Sequence, residues 1–226
     1  MNKNAKLPIR SDIFDNIDSD QKAYWLGFLW ADGHLKPDSN VIRLELGEKD
    51  YAHLQSFALF IGLPLENIRY RADRNTRWLT FSDKKLADTL RRYEFKTENF
   101  DLYIPKEYIL SFIRGFFDGD GSVYSQGKTS FCTSFIGLKP ILEKIRMHLP
   151  GVYKKLRSVS SSTQMYRLET YGIKSSIEIC KCLYETSCST IHLLRKYNKC
   201  QYYLKLHEGT STTKLKPSNN LDEDIV

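Results

Sequence analysis

The chain lacks any run close to the ~20 apolar residues that a membrane-crossing helix needs. Its most hydrophobic stretches are interrupted, by Gly27 in one case and by Arg114 and Gly115 in another. No apolar signal segment opens the sequence, so the protein reads as soluble and intracellular. Cysteine is sparse and odd in number. Of Cys132, Cys180, Cys182, Cys188 and Cys200, four crowd into the C-terminal third, an arrangement of reduced thiols and not of a disulfide framework. Cys180, Cys182, Cys188 and His192 lack the paired two-residue spacing of a zinc ribbon. Acid is the scarcer charge: 27 Asp and Glu stand against 34 Lys and Arg, for a net charge of +7. The segment 208–226 carries four acids and two lysines, so removing its −2 from +7 leaves +9 on residues 1–207. A basic body suits a polyanionic partner, most simply nucleic acid.

What is present is a repeat. Trp25-Leu-Gly-Phe-Leu-Trp-Ala-Asp-Gly33 aligns with Ile113-Arg-Gly-Phe-Phe-Asp-Gly-Asp-Gly121, and the two segments are followed by matching element types. After Asp32 come an alternating strand, Val41–Leu46, and a helical stretch through Leu54, Phe57, Phe60 and Ile61 that stops at Pro64. After Asp120 come a strand at Ser130–Ser134 and a helical stretch through Leu138, Ile141, Leu142 and Ile145 that stops at Pro150. Each half then offers a hairpin, Asn67–Arg71 with Arg77–Phe81 and Val152–Arg157 with Met165–Thr170, and a helix near Lys84–Tyr93 or Lys174–Tyr184. The expected fold class is α+β: two pseudo-symmetric αββαββα half-domains with antiparallel sheets. Residues 18–100 and 101–207 form the halves, the second with an extra helix over 188–207. Residues 1–17 are an extension and 208–226 a disordered tail.

The motif itself is unusual for a helix. Gly27 and Ala31 sit four apart, as do Gly115 and Gly119. A mid-helix glycine costs on the order of 1 kcal/mol relative to alanine, so paired glycines in matching places need a compensating contact. Close, side-by-side packing of the two helices supplies it. Start signals at Asp18-Ser-Asp20 and at Pro105, the latter as a first helical residue, place the helix N-termini, and Gly33 and Gly121 are expected to end them in the left-handed conformation. Packed in parallel, the helices bring Asp32 and Asp120 together at the negative ends of both dipoles, where two acids are doubly disfavoured. A divalent cation resolves both penalties. An EF-hand reading of Asp118, Asp120 and Ser122 fails, because Val123 replaces the required glycine and Thr129 the required glutamate.

On these residues the chain resembles the single-chain, two-motif LAGLIDADG homing endonucleases, with similar element order over nearly all of 18–207. The resemblance implies a saddle of two DNA-binding sheets packed through the motif helices. It also implies Mg²⁺ or another divalent cation held by Asp32 and Asp120, and hydrolysis of both strands of a long, specific double-stranded DNA site by a monomer. Trp30 departs from the family pattern where an earlier acid is common, while Asp118 keeps it. Lys84 and Lys174, at matching distances past the acids, are the candidate basic residues beside the metal-bound water. Basic and polar side chains at period two, Arg43, Arg69, Arg71, Arg77, Lys155, Arg157, Gln164 and Arg167, are the candidate DNA contacts. Without a splicing-type first residue or a terminal His-Asn, the chain reads as free-standing and not intein-embedded. The rival readings are a catalytically inactive nucleic-acid binder of the same fold, such as an intron maturase or a transcription regulator, and an acid/base hydrolase. The second suits a near-symmetric acid pair poorly.

Overall fold

The computed structural model describes residues 9–99, 102–127, 130–160, 164–185 and 191–208. Among them the first half runs α1 (Asp20–Asp32), β1 (Gly33–Leu35), β2 (Val41–Gly47), α2 (Tyr51–Phe60), β3 (Arg69–Arg71), β4 (Thr76–Ser82) and α3 (Lys84–Arg92). The second runs α4 (Ile109–Asp120), β5 (Gly121–Ser125), β6 (Phe131–Leu138), α5 (Lys139–His148), β7 (Arg157–Ser158), β8 (Met165–Glu169) and α6 (Gly172–Tyr184), with α7 (Leu194–Glu208) added at the end. Each half contributes a four-stranded antiparallel sheet, ordered β1-β2-β4-β3 and β5-β6-β8-β7. This is the α+β arrangement of two antiparallel sheets that the repeat predicts.

The two motif helices lie against each other in parallel, and the pairing can be followed residue by residue. Ser111 Oγ donates to the Asp20 carboxylate at one end, and Ala31 meets Gly119 at the other. Between them, a Cβ placed on Gly27 would lie 2.0 Å from Phe112 O, and one on Gly115 would lie 1.9 Å from Tyr24 O. Backbone therefore touches backbone at both glycines, which only residues without a Cβ permit. Around this contact the side chains of Trp25, Phe28, Phe112, Phe116 and Phe117 are wholly buried and join the two halves into one core.

Three local expectations are corrected. Pro105 is not the first residue of α4; it is extended and precedes a 3₁₀ turn, Lys106–Tyr108, closed by Tyr108 N–H on Pro105 O at 2.9 Å. Gly33 and Gly121 are not left-handed, with φ −70 and −84, and lead straight into β1 and β5. They are glycines for space: a Cβ would stand 2.5 Å from Leu29 O at Gly33 and 2.4 Å from Phe117 O at Gly121. The strand expected at Val152–Arg157 is reduced to an isolated bridge, Tyr153 with Thr170, and the short β7.

Beyond the repeat, Ile13, Phe14 and Ile17 of the N-terminal extension are buried, and the Thr89 hydroxyl and Tyr93 phenol of the α3 region donate to Asp15 and to Phe14 O. The extension is thus part of the first half's core. The tail expected to be disordered lies outside the described residues except for Glu208, the last residue of α7. Cys188 also lies outside them.

Candidate active site and nucleic-acid interface

Asp32 closes α1 and Asp120 closes α4, and the parallel packing delivers both to one place. The Asp32 carboxylate leans over Gly119, where a Cβ would stand 3.2 Å from its Oδ2, so the second motif's glycine makes room for the first motif's acid. Neither carboxylate accepts a hydrogen bond from the described residues, although both are only partly exposed. Desolvation is the main cause that lifts Asp32 to about 6, and the charge of Asp120 adds to it. Asp120 is raised as well, again chiefly by desolvation.

Two lysines stand over this pair. The ammonium of Lys196, on the first turn of α7, is buried and donates to Phe117 O and Gly119 O, both at 2.7 Å. Lys96 reaches Ala31 O at 2.5 Å from the turn after α3. Each motif helix thus has its last carbonyls answered by a cation, the favourable sign at a helix C-terminus. Lys96 sits at φ 58, a left-handed conformation uncommon for a side-chain-bearing residue, and the neighbouring Phe95 packs edge-on against Trp30 at 5.1 Å. Burial pulls Lys196 down to about 8 against the opposing pull of Asp118, and desolvation lowers Lys96 against the pull of Asp120 and Asp32. Beside Asp120 and Lys96 opens a mainly apolar cavity of about 270 Å³, walled by Trp30, Phe116, Leu138, Ile141 and Met165.

The unfavourable setting of Asp32 makes a pH prediction for the metal-free protein. Its folded pKa lies above its unfolded one, so the proton is held more tightly in the folded state, and stability falls as pH rises between about 4 and about 6. Above that window the penalty is complete. In chelator at about pH 7, Asp32→Asn should therefore raise unfolding stability by roughly 1–3 kcal/mol, and the gain should vanish below about pH 4, as read from urea melts. A loss at neutral pH would show that the carboxylate is instead stabilised where it stands.

No protein-family model matches the chain, and no curated sequence matches it closely. Solved structures do match. The LAGLIDADG homing endonuclease I-LtrWI bound to target DNA superposes with a TM-score of 0.59 and 12% identity, over 84% of this chain and 92% of that one. The meganuclease I-SmaMI bound to uncleaveable DNA gives 0.61 and 14%, over 84% and 89%. The homing endonuclease I-GzeII in complex with its DNA target gives 0.60 and 12%, over 90% and 95%. The chain has the LAGLIDADG homing endonuclease fold.

Within that fold, strand register assigns the candidate DNA contacts that lie in strands to a sheet face. In the first sheet, Arg43 opposes His34 and Thr80, Arg69 opposes Trp78, and Arg71 opposes Thr76, so all three arginines share the face away from Leu44 and Leu79. Glu45 sits among them, paired with Arg43 and 3.5 Å from Arg71. Arg77 does not join them. It opposes Leu46, lies on the core side, ion-pairs with Glu48 at 2.7 Å and stacks over Tyr51 at 4.2 Å. In the second sheet, Arg157 and Arg167 are directly opposite each other and exposed, with Ile136 as the third residue of the row. Lys155 and Gln164 are exposed beside this hairpin.

The candidate lysines fall elsewhere. Lys84 is exposed at the start of α3 and pairs with Asp88 at 2.6 Å, and Lys174 is exposed near the start of α6. The cations whose charge is felt at the paired aspartates are Lys96, Lys196 and, at Asp32, Arg195. These were missed because no motif marks them. The one available signal was for Lys196, a lysine at an apolar-face position of the terminal helix.

Proposed function

We propose that the chain is a divalent-metal-dependent, site-specific endonuclease that cuts both strands of duplex DNA as a monomer. The single observation that carries this reading is the pair of carboxylates, Asp32 and Asp120, set against each other at the ends of two parallel helices, with no hydrogen-bond donor to either among the described residues and with two lysines beside them. Two acids that repel each other in a desolvated cleft weaken the fold, and no packing role requires them both. An all-oxygen pair with open sides fits Mg²⁺, which binds through one or two carboxylates and completes its shell with water and substrate phosphate. Such an ion, when bound, supplies charge neutralisation at the phosphate and a more acidic water.

The protein's own groups do the rest. Asp32 and Asp120, one from each half, would hold the metal, so that each could serve one strand. Lys196 and Lys96 offer N–H donors beside the same phosphates, and burial has already brought Lys196 close to a pKa at which it can exchange a proton. Arg43, Arg69 and Arg71 on one sheet and Arg157 and Arg167 on the other, with Lys155 and Gln164 beside the second, face the duplex. I-SmaMI has been solved with uncleaved DNA in the presence of calcium ions, a divalent cation in a protein of the same fold. The reading is tested by incubating the protein with a randomised duplex library and Mg²⁺ and sequencing the ends. Recurrent breaks at one sequence support it. Binding without breaks selects the inactive nucleic-acid binder instead.

The Arg157 and Arg167 pair gives a sharper check on the interface. Like charges directly opposite on a sheet repel, so an anion such as a phosphate between or above the side chains would relieve the pair. Replacing both with alanine should flatten the log–log salt dependence of DNA binding by about 2, close to one released counterion per arginine, without lowering stability. An unchanged slope would remove this row from the phosphate contacts.

A further inference from the structure

Asp118 lies two residues before Asp120 but is turned away from the cleft and is wholly buried. Its carboxylate is met by three donors from three elements. Tyr24 Oη of α1 donates at 2.7 Å, Tyr184 Oη at the end of α6 donates at 2.5 Å, and the Leu193 N–H, just ahead of α7, donates at 2.7 Å. Tyr24 Oη also lies 3.0 Å from His53 Nε2. Since the phenol proton goes to Asp118, the imidazole is the donor in that contact, and His53, which burial pushes down to about 3, remains neutral. A buried carboxylate held by three donors from three elements is a built joint.

The joint closes a loop between α4 and α7. Asp118 grips the N–H of Leu193, while Leu193 O accepts from Lys196 N at 3.0 Å to form the first turn of α7. From that turn Lys196 reaches back to the carbonyls of Phe117 and Gly119, the residues on either side of Asp118. Arg195, between them, holds Asp50 of the first half at 2.9 and 3.0 Å. In the first motif Trp30 stands where Asp118 stands in the second; it packs against Phe95, the neighbour of Lys96, and no carboxylate is hydrogen-bonded to Lys96 among the described residues.

We propose that Asp118 is the positioning residue for Lys196: by anchoring the entry to α7 it sets where that ammonium stands beside Asp32 and Asp120, and it has no corresponding hold on Lys96. Its effect on cleavage rests on the nuclease reading above; its effect on the place of Lys196 does not. A carboxylate that only supported the core would, when lost, weaken stability and DNA binding together. A positioning carboxylate changes the lysine and the cutting step while affinity is kept.

The test follows amine acylation by acetic anhydride, site by site in mass spectra of the intact folded protein, for wild type, Asp118→Asn and Asp118→Leu. Asparagine keeps an oxygen acceptor of the same shape, and leucine keeps only the volume. In wild type Lys196 should label far more slowly than the exposed Lys84. In Asp118→Leu its labelling should rise by at least about tenfold as the turn opens, with Lys96 unchanged, and Asp118→Asn should restore most of the protection. Single-turnover cleavage should fall on the order of a hundredfold in the leucine variant, with DNA affinity within about threefold of wild type and recovery in the asparagine variant. Lys196 staying protected in Asp118→Leu, or that variant cutting at the wild-type rate, overturns the proposal. If wild type cuts no DNA, the nuclease reading is lost, and the labelling decides the positioning role by itself. Should Asp118→Leu not fold, Tyr184→Phe, which removes one of the three donors, must give a partial rise in Lys196 labelling, and no rise overturns the assignment.

Discussion

Asparagine in place of either Asp32 or Asp120 should abolish double-strand cleavage, by on the order of a hundredfold to a thousandfold or more, while DNA affinity stays within about threefold. The two halves of this expectation have separate causes. Asparagine keeps the shape at the helix end and removes one negative charge, so the repulsion that lifts Asp32 is relieved in either variant and the fold gains. On the proposed reading, what would be lost is a ligand that only a charged oxygen supplies well to a hard cation. On the same reading affinity would be carried by the sheet arginines, which lie away from the helix ends and which neither substitution touches. Because the acids come from different halves, any residual product of a single variant should be a nick in one strand, and the double variant should give none. Gel assays on supercoiled plasmid bearing the target separate these products. A single variant that linearises plasmid at the wild-type rate would remove its residue from the metal site. A variant that loses binding and cutting together would place the acids in the architecture and not in the chemistry.

The parts of this site that were legible in the sequence are those determined by local pattern repeated twice. Gly27 with Ala31 and Gly115 with Gly119 announce a close helix pair, and once the helices are parallel the position of Asp32 against Asp120 follows. The lysines are another matter. Repeat symmetry points to Lys84 and Lys174, yet the ammonium groups over the acids come from dissimilar places: a left-handed turn at Lys96 in the first half, and in the second a helix, α7, with no counterpart among the described residues of the first. No spacing rule connects them, because their arrival depends on where the chain returns in three dimensions. The face of Arg77 is legible in the sequence as well. It shares parity with Leu79 and Phe81, both buried, so alternation alone puts it on the core side. Gly33 and Gly121 show the opposite limit, since a glycine after a helix is compatible both with a left-handed cap and with a crowded extended turn, and only the nearby Leu29 and Phe117 carbonyls decide.

The largest effect on stability is expected at the helix pair itself. Gly27→Ala and Gly115→Ala each place a methyl group about 2 Å from a carbonyl oxygen of the facing helix, Phe112 O in one case and Tyr24 O in the other. The alanine gains roughly 1 kcal/mol of helix propensity. Against this, a carbon to oxygen contact at that distance cannot be relieved by a rotamer change, because both atoms belong to backbone. The helices must separate by an ångström or more, and that shift reaches Trp25, Phe28, Phe112 and Phe116, all packed without exposed surface. Overpacking of this kind outweighs the propensity gain, and each variant should lose roughly 3–5 kcal/mol in urea unfolding. Gly47→Ala is the control, since its Cβ would meet nothing nearer than Lys49 Cγ at 3.8 Å, and it should stay within about 0.5 kcal/mol of wild type. Separation also draws Asp32 away from Asp120, so any folded fraction of the Gly115 variant should bind DNA and cut it slowly. If Gly115→Ala is as stable as wild type, the helices do not approach as closely as described, and the nearness of the two acids loses its structural basis.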